Sequence, residues 1–217
     1  MLFIMSIKEV LFAKNVNVEK IKRGSATEKK IPFFYPLSGS EDYSNLVLQT
    51  PIMYIPFSPQ EKKSNDGTPF TGNITTSFRD IGSEKNIKTM KRFHKKIKEI
   101  ENFIRKEIEE INPNLSKFYK GLRPSTNEKY SDLFQMKIMY KNGEPCVDAF
   151  DKDKESINFK EISNRMNASF LIRLDGVWIA RDPNVMGIDW TVKQIMLSAD
   201  NEETSTPIVK GFAFRDE

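Results

Sequence analysis

One cysteine and one histidine occur in 217 residues, and their scarcity excludes whole classes of chemistry. A lone Cys146 cannot close an intramolecular disulfide, so nothing points to secretion. One His94 and one Cys146 fall short of the ligand sets of most zinc sites. A Cys–His nucleophilic pair would have its two members but no third group to orient the base. Cys146 also falls in a predicted strand and His94 in a predicted helix. No apolar run approaches the ~20 residues of a membrane span, so no membrane partner is expected. Met1-Leu2-Phe3-Ile4-Met5 is short and lacks the basic start of a secretory signal, and Met5 is a second candidate initiator. No internal repeat or low-complexity block is present, and nothing implies a cofactor.

What the chain does have is length for one domain with a full core, and a mild excess of positive charge, +4 at neutral pH. That excess suits a polyanion without proving one. It is unevenly spread: residues 1–30 carry a net +4 and residues 199–217 a net −3. A basic front and an acidic end permit self-contact or competition with an anion; two solvated termini explain them more simply.

Residues 1–30 pattern weakly and read as a loosely held arm. Ile31–Pro36 places three aromatics between two prolines. The proline rule makes Ile31 and Tyr35 extended, so alternate rings point to opposite sides. Phe33 and Tyr35 are therefore either core residues or platforms on which a base can stack. Asn45–Phe57 is a strand pair or a strand broken at Pro51, and it carries Tyr54 as a third stacking candidate. Residues 58–69 read as an exposed loop with an Asp66-Gly67 turn, and 71–81 alternate as a half-buried strand with Arg79 on its polar side.

Ser83–Ile111 is a helix: apolar residues fall at 87, 90, 93, 97, 100, 104, 108 and 111, and Asn112-Pro113 stops it. Its charges oppose the macrodipole, with Lys85, Lys88, Lys91, Arg92, Lys95, Lys96 and Lys98 early and Glu99, Glu101, Glu107, Glu109 and Glu110 late. Such a pattern is either a basic half awaiting a partner or a face laced by i,i+4 pairs. Leu133–Lys141 alternates cleanly with Lys137 on its polar side, and Asn142-Gly143 is the strongest hairpin signal in the chain. Asp148, Asp151, Asp153 and Glu155 invite a metal reading. As a calcium loop the run fails, with Ser156 at the glycine position and Ile162 where the bidentate Glu belongs, which leaves an acidic turn.

The closing stretch, Ala168 to Ser198, reads as two strands joined by Arg181-Asp182-Pro183-Asn184. Phe170, Ile172, Leu174 and Trp178 share one face of the first strand. Ile188, Trp190, Val192 and Met196 share one face of the second. Both tryptophans are thus assigned to the core, and Arg173, Thr191 and Lys193 to the reverse, polar face. Gly176 marks a bend or bulge.

Five or six strands with one long helix inserted between them is the pattern of an OB-fold-like barrel, in a mostly β (α+β) class; other small barrels or an α+β sandwich fit the same order. The segments Gly176-Val177-Trp178-Ile179 and Gly187-Ile188-Asp189-Trp190-Thr191-Val192-Lys193-Gln194-Ile195 resemble the C-terminal strands of single-stranded DNA-binding proteins of large nucleocytoplasmic DNA viruses. Those are in turn similar to the replication single-stranded DNA-binding proteins of short-tailed phages. Leu46-Val47-Leu48-Gln49-Thr50-Pro51 and the position of the long helix carry the same resemblance, over roughly residues 45–198. The chain departs from the phage pattern in its tail, which is short and weakly acidic, so recruitment of a polymerase through it is not carried over.

The resemblance implies a non-catalytic protein that binds single-stranded DNA, or RNA, in viral replication, recombination or repair. It would act in the cytoplasmic replication factory or nucleus of the host, beside replication proteins and with oligomers open. The expected organisation is an arm at 1–44, a binding domain at 45–198 and a tail at 199–217. Arg79, Lys137, Arg173 and Lys193, with Thr191, are the expected phosphate contacts; each is otherwise an ordinary surface residue. Phe33, Tyr35 and Tyr54 are the expected stacking rings. Two other readings stand beside this one: a scaffolding module, and a metal-dependent nuclease built on Asp148, Asp151 and Asp153.

Overall fold

The structure is a computed structural model that describes residues 9–198. Residues 1–8 and the acidic segment 199–217, with the expectations attached to them, lie outside the described residues. The main elements are β1 (Val47–Gln49), β2 (Met53–Tyr54), β3 (Pro69–Ser77), α1 (Glu84–Ile111), β4 (Leu133–Lys141), β5 (Asn167–Ile179) and β6 (Val185–Leu197). No described helix is long and apolar enough to cross a membrane.

The described residues are mostly β with one α-helix. The expected five or six strands are too few: one mixed sheet contains fourteen among the described residues. Its central pairings run β5–β2–β3–β4–β6, and β6 pairs directly with β5 again. The remainder are short additions. Leu11–Phe12 lies parallel to β1, Gln60–Lys63 pairs with β3, and Lys30–Ile31 pairs with β5. Lys117–Tyr119 and Asp148–Phe150 both lie parallel to β6. Strands of two to four residues contain too few positions for alternation to register, which is why residues 58–69 read as loop.

Where periodicity runs without a bulge, sequence and structure coincide. Phe134, Met136 and Ile138 of β4 point inward and are buried. Asn142 and Gly143 adopt φ +54° and +80°, the positive angles that a two-residue hairpin turn of this twist requires. Ser83 caps α1 by accepting from the Asn86 N–H at 3.2 Å. Met90, Phe93, Ile97, Ile100, Ile104 and Ile108 bury one stripe of α1 against Phe134, Phe170, Ile172 and Trp190. Asn86 fastens the start of α1 to β2 through the N–H and C=O of Ile52, at 3.1 and 3.0 Å.

The loosely held arm is corrected. Ala13, Val16, Ile21, Ile31, Phe33 and Tyr35 are buried in the same core as the strands that follow, and Val10 is buried in a smaller cluster with Val47 and Leu171. Arg23 also donates to the Glu107 carbonyl of α1 at 2.7 Å.

The β5–β6 ladder contains two bulges, and they correct the expected faces. Leu174 pairs with Trp190 and Gly176 with Asp189, so Asp175 has no opposite residue. Ile172 pairs with Val192 and Leu171 with Gln194, so Lys193 has none. Each extra residue reverses the alternation beyond it. Val177 therefore faces the core while Trp178 turns outward, half-buried; Ile195 faces the core and Met196 joins a small outer cluster with Val10, Val47 and Leu171. The first bulge depends on glycine: Gly176 sits at φ +118°, and a Cβ there would lie 2.4 Å from the Ile31 carbonyl oxygen. Gly176→Ala should lower the free energy of unfolding by on the order of 3 kcal/mol, read as a lower urea midpoint at unchanged slope.

Candidate nucleic-acid interface

Register alone builds the first part of the site. Lys137 of β4 lies opposite Asn73 of β3 on one side and Thr191 of β6 on the other; Thr191 lies opposite Arg173 of β5, and Arg173 opposite Val47 of β1. Residues paired across strands project from the same face, so Asn73, Lys137, Thr191 and Arg173 form one row on the side of the sheet away from the core. Lys193, the bulge residue two positions beyond Thr191, lies within electrostatic reach of Arg173 and Asp175.

Two carboxylates hold this row. Lys137 Nζ lies 3.0 Å from Asp189, and Arg173 Nε donates to Asp175. The Thr191 hydroxyl, fully buried, donates to the other Asp175 oxygen at 2.6 Å. Burial alone would raise the Asp175 carboxyl. The hydrogen bonds from Arg173 and Thr191, with the charges of Arg173 and Lys193, hold it below the ordinary carboxylate value. Lys193 is lowered as well, but for an amine that disfavours the charged form: burial first, then the Arg173 charge, push it below the usual lysine value. Three cations therefore share a face with two acids, and Lys193 is held at a cost that an incoming anion would relieve.

A second cluster sits on the same face. Tyr54 lies opposite Ser77, and Ser77 is two and four residues along β3 from Thr75 and Asn73. The Arg79 guanidinium lies 3.6 Å over the Tyr54 ring, a cation–π contact that orients both. A third row crosses the far end of the closing hairpin. Lys30 lies opposite Trp178, Trp178 opposite Gly187, and Gly187 opposite Tyr119. The Trp178 and Tyr119 rings stand 5.7 Å apart at 30°.

No family model matches the chain, and no curated protein matches it in sequence. Among solved structures it is similar to gp2.5, a single-stranded DNA-binding protein encoded by bacteriophage T7, with a TM-score of 0.44 and 11% identity over 77% of this chain and 92% of that one. It is also similar to the single-stranded DNA-binding protein of bacteriophage Enc34. The structure of that protein in complex with single-stranded DNA matches at a TM-score of 0.43 and 12% identity, over 86% of this chain and 99% of that one. Its C-terminal truncation matches at 0.42 and 14%, over 87% and 100%. These structural neighbours are phage single-stranded DNA-binding proteins.

Of the eight residues singled out in the sequence, the fold brings Lys137, Thr191, Arg173 and Lys193 together and sets Tyr54 with Arg79 beside them. It does not bring Phe33 or Tyr35. Phe33 is 0% and Tyr35 8% exposed, because Phe33–Pro36 pairs with Lys22–Arg23 and turns both rings into the core. The Tyr35 hydroxyl accepts from the Asn17 N–H at 3.0 Å. Neither ring offers a face to a base. Thr191, being buried, positions Asp175 and so acts through Arg173.

The acidic run is used locally. Asp151 accepts from the N–H groups of Asp153 and Glu155, both at 2.9 Å. Among the described residues no group of three His, Cys, Asp or Glu side chains is placed to hold a metal ion. His94 is 2.8 Å from Asp132, with the Phe78 ring edge-on against it, while Cys146 is exposed.

Sequence reasoning missed Glu101. It is 0% exposed within α1, and its Oε1 accepts from the Trp190 indole at 3.1 Å and from the Gly121 N–H at 2.9 Å. Leu122 N–H lies 3.3 Å from both carboxylate oxygens. Burial pushes its pKa up to about 7 against those donors. The signal was present: 97, 101, 104 and 108 step by four, three and four, which puts Glu101 in the buried stripe.

Proposed function

We propose that this protein binds single-stranded DNA without catalysis and with little sequence preference. The observation that carries the reading is the single cross-strand row of Lys137, Thr191 and Arg173, flanked by the Lys193 bulge, on one outward sheet face. Phosphates would take the cations, and a ring on the same face would take a base. Binding through phosphates and ring faces does not need base edges to be read, so sequences should be bound alike. The closed path of pairings β5–β2–β3–β4–β6 would serve as the OB-fold-like barrel that displays this face. A role in replication, recombination or repair of a viral genome belongs to the same proposal.

The test is anisotropy of a labelled oligo-dT titrated with the protein across a salt series, beside duplex DNA and an RNA oligonucleotide. Binding to oligo-dT should weaken with salt at a log–log slope of about −0.7 per neutralised phosphate, or roughly −2 for Lys137, Arg173 and Lys193 together. No binding at low salt, or affinity flat across the series, overturns the reading.

A further inference from the structure

We propose that Trp178 and Tyr119 form the platform on which a base of the bound strand stacks. The proposal rests on the single-stranded DNA reading and adds to it a site for the base. Three observations carry it. First, the Gly176 bulge turns Trp178 out of the core and onto the face that holds the basic row. Gly187, opposite Trp178, and Thr191 lie on the same face of β6, four residues or about 13 Å apart. That places the aromatic pair and the cations along one path.

Second, the pair keeps ring surface in solvent. Tyr119 is 40% exposed and Trp178 half-buried. Gly187 lies between their backbones, and the Trp178 ring closes over the space where a Cβ would stand 2.5 Å from its Cζ2. Rings held this way lose little freedom when a further flat ring is added to the stack.

Third, cations flank the pair. Lys117 Nζ lies 4.7 Å over the Tyr119 ring, and Lys30 lies opposite Trp178 and within electrostatic reach of Lys193. Aromatic surface between amines fits a nucleobase with its phosphates and fits an aliphatic partner poorly. Trp190 is the internal contrast: it is buried, and its indole N–H is spent on Glu101.

The experiment uses the full chain, oligo-dT, tryptophan emission and anisotropy. Saturating oligo-dT should quench the wild-type emission. Trp178→Phe, which keeps a stacking ring and leaves Trp190 as the sole emitter, should bind with affinity within a few-fold of wild type and lose the quench. Trp178→Ala should weaken binding roughly 5- to 150-fold at an unchanged salt slope, since a base contact and no phosphate contact is lost. Thermal melts monitored by circular dichroism establish that it folds. Tyr119→Ala, at an exposed position, is the second variant and should weaken binding in the same way. Wild-type binding with no change in emission, or Trp178→Ala and Tyr119→Ala variants that bind like wild type, overturns the platform and leaves the parent reading intact. An oligo-dT that does not bind the wild type at all overturns both, and anisotropy tells these two outcomes apart.

Discussion

Glu101→Ala should destabilise the protein by about 3–5 kcal/mol, read as a lower urea midpoint, a loss large against a typical folding free energy. The side chain is fully buried where α1 crosses β6, and it is the acceptor for the Trp190 indole and for the N–H groups of Gly121 and Leu122. Removing it leaves three donors without an acceptor in a water-excluded space and opens a cavity beside Trp190. Trp190 also stands against the Phe134 ring, so the damage reaches the centre of the core. Lys120, which lies in the field of Glu101, donates to Asn102 at 2.5 Å and holds the same connector to α1.

Glu101→Gln should behave differently, and pH separates the two. The carboxyl is raised from 4.5 to about 7 in the folded protein, mainly by burial. The folded state therefore holds a proton that the unfolded state releases between those values. The stability contributed by that proton is fully present below about 4.5 and is lost as pH rises through about 7, in total roughly 3 kcal/mol. Gln copies the protonated acid at every pH. The variant should match wild type near pH 4 and exceed it at pH 8. A difference between the two that stays constant from pH 5 to pH 8 would show that Glu101 does not titrate there.

The contrast between α1 and the closing hairpin shows what is legible in the sequence and why. A helix repeats its buried stripe over many turns, so α1 survives one anomalous residue, and Glu101 escapes notice for the same reason: type was weighed above phase. The hairpin was legible in extent, since Asn167–Ile179 and Val185–Leu197 nearly coincide with the strands read from alternation. Its faces were legible only up to the bulges. Period-two alternation has no memory beyond an extra residue, so a single unpaired Asp175 moved Trp178 from core to surface, and Lys193 exchanged Met196 for Ile195. Gly176 was the visible mark of the first bulge; Lys193 left no mark, because nothing about lysine requires bulge geometry. The row of Lys137, Thr191 and Arg173 was reachable strand by strand, but their alignment depends on register between segments far apart in sequence. Asp189, which holds Lys137, went unassigned because an ion pair across strands has no sequence spacing, whereas Asp175 stands two residues from Arg173 on the same strand and was open to view.

Those pairings decide which substitutions test binding cleanly. Arg173 lies against a buried Asp175, so replacing it would take from that carboxylate its guanidinium partner, and any loss of binding would be mixed with loss of fold. Lys137 and Lys193 are better placed. The Lys137–Asp189 pair is partly open to solvent, and such pairs contribute about 1 kcal/mol or less. Lys193 is a cation that burial and Arg173 already disfavour, so its loss should leave stability within about 1 kcal/mol. A Lys137→Gln/Lys193→Gln double variant should therefore melt close to wild type yet bind oligo-dT with a salt slope shallower by about 1.4, two phosphate contacts at about 0.7 each. The same relation gives a loss of affinity of about 25-fold at 0.1 M salt, shrinking toward none near 1 M, and equal for thymine- and cytosine-rich strands. A double variant whose slope equals that of wild type would remove Lys137 and Lys193 from the interface. A uniform loss of affinity at every salt concentration would mean that the two lysines act by shaping the face, with the phosphates held elsewhere.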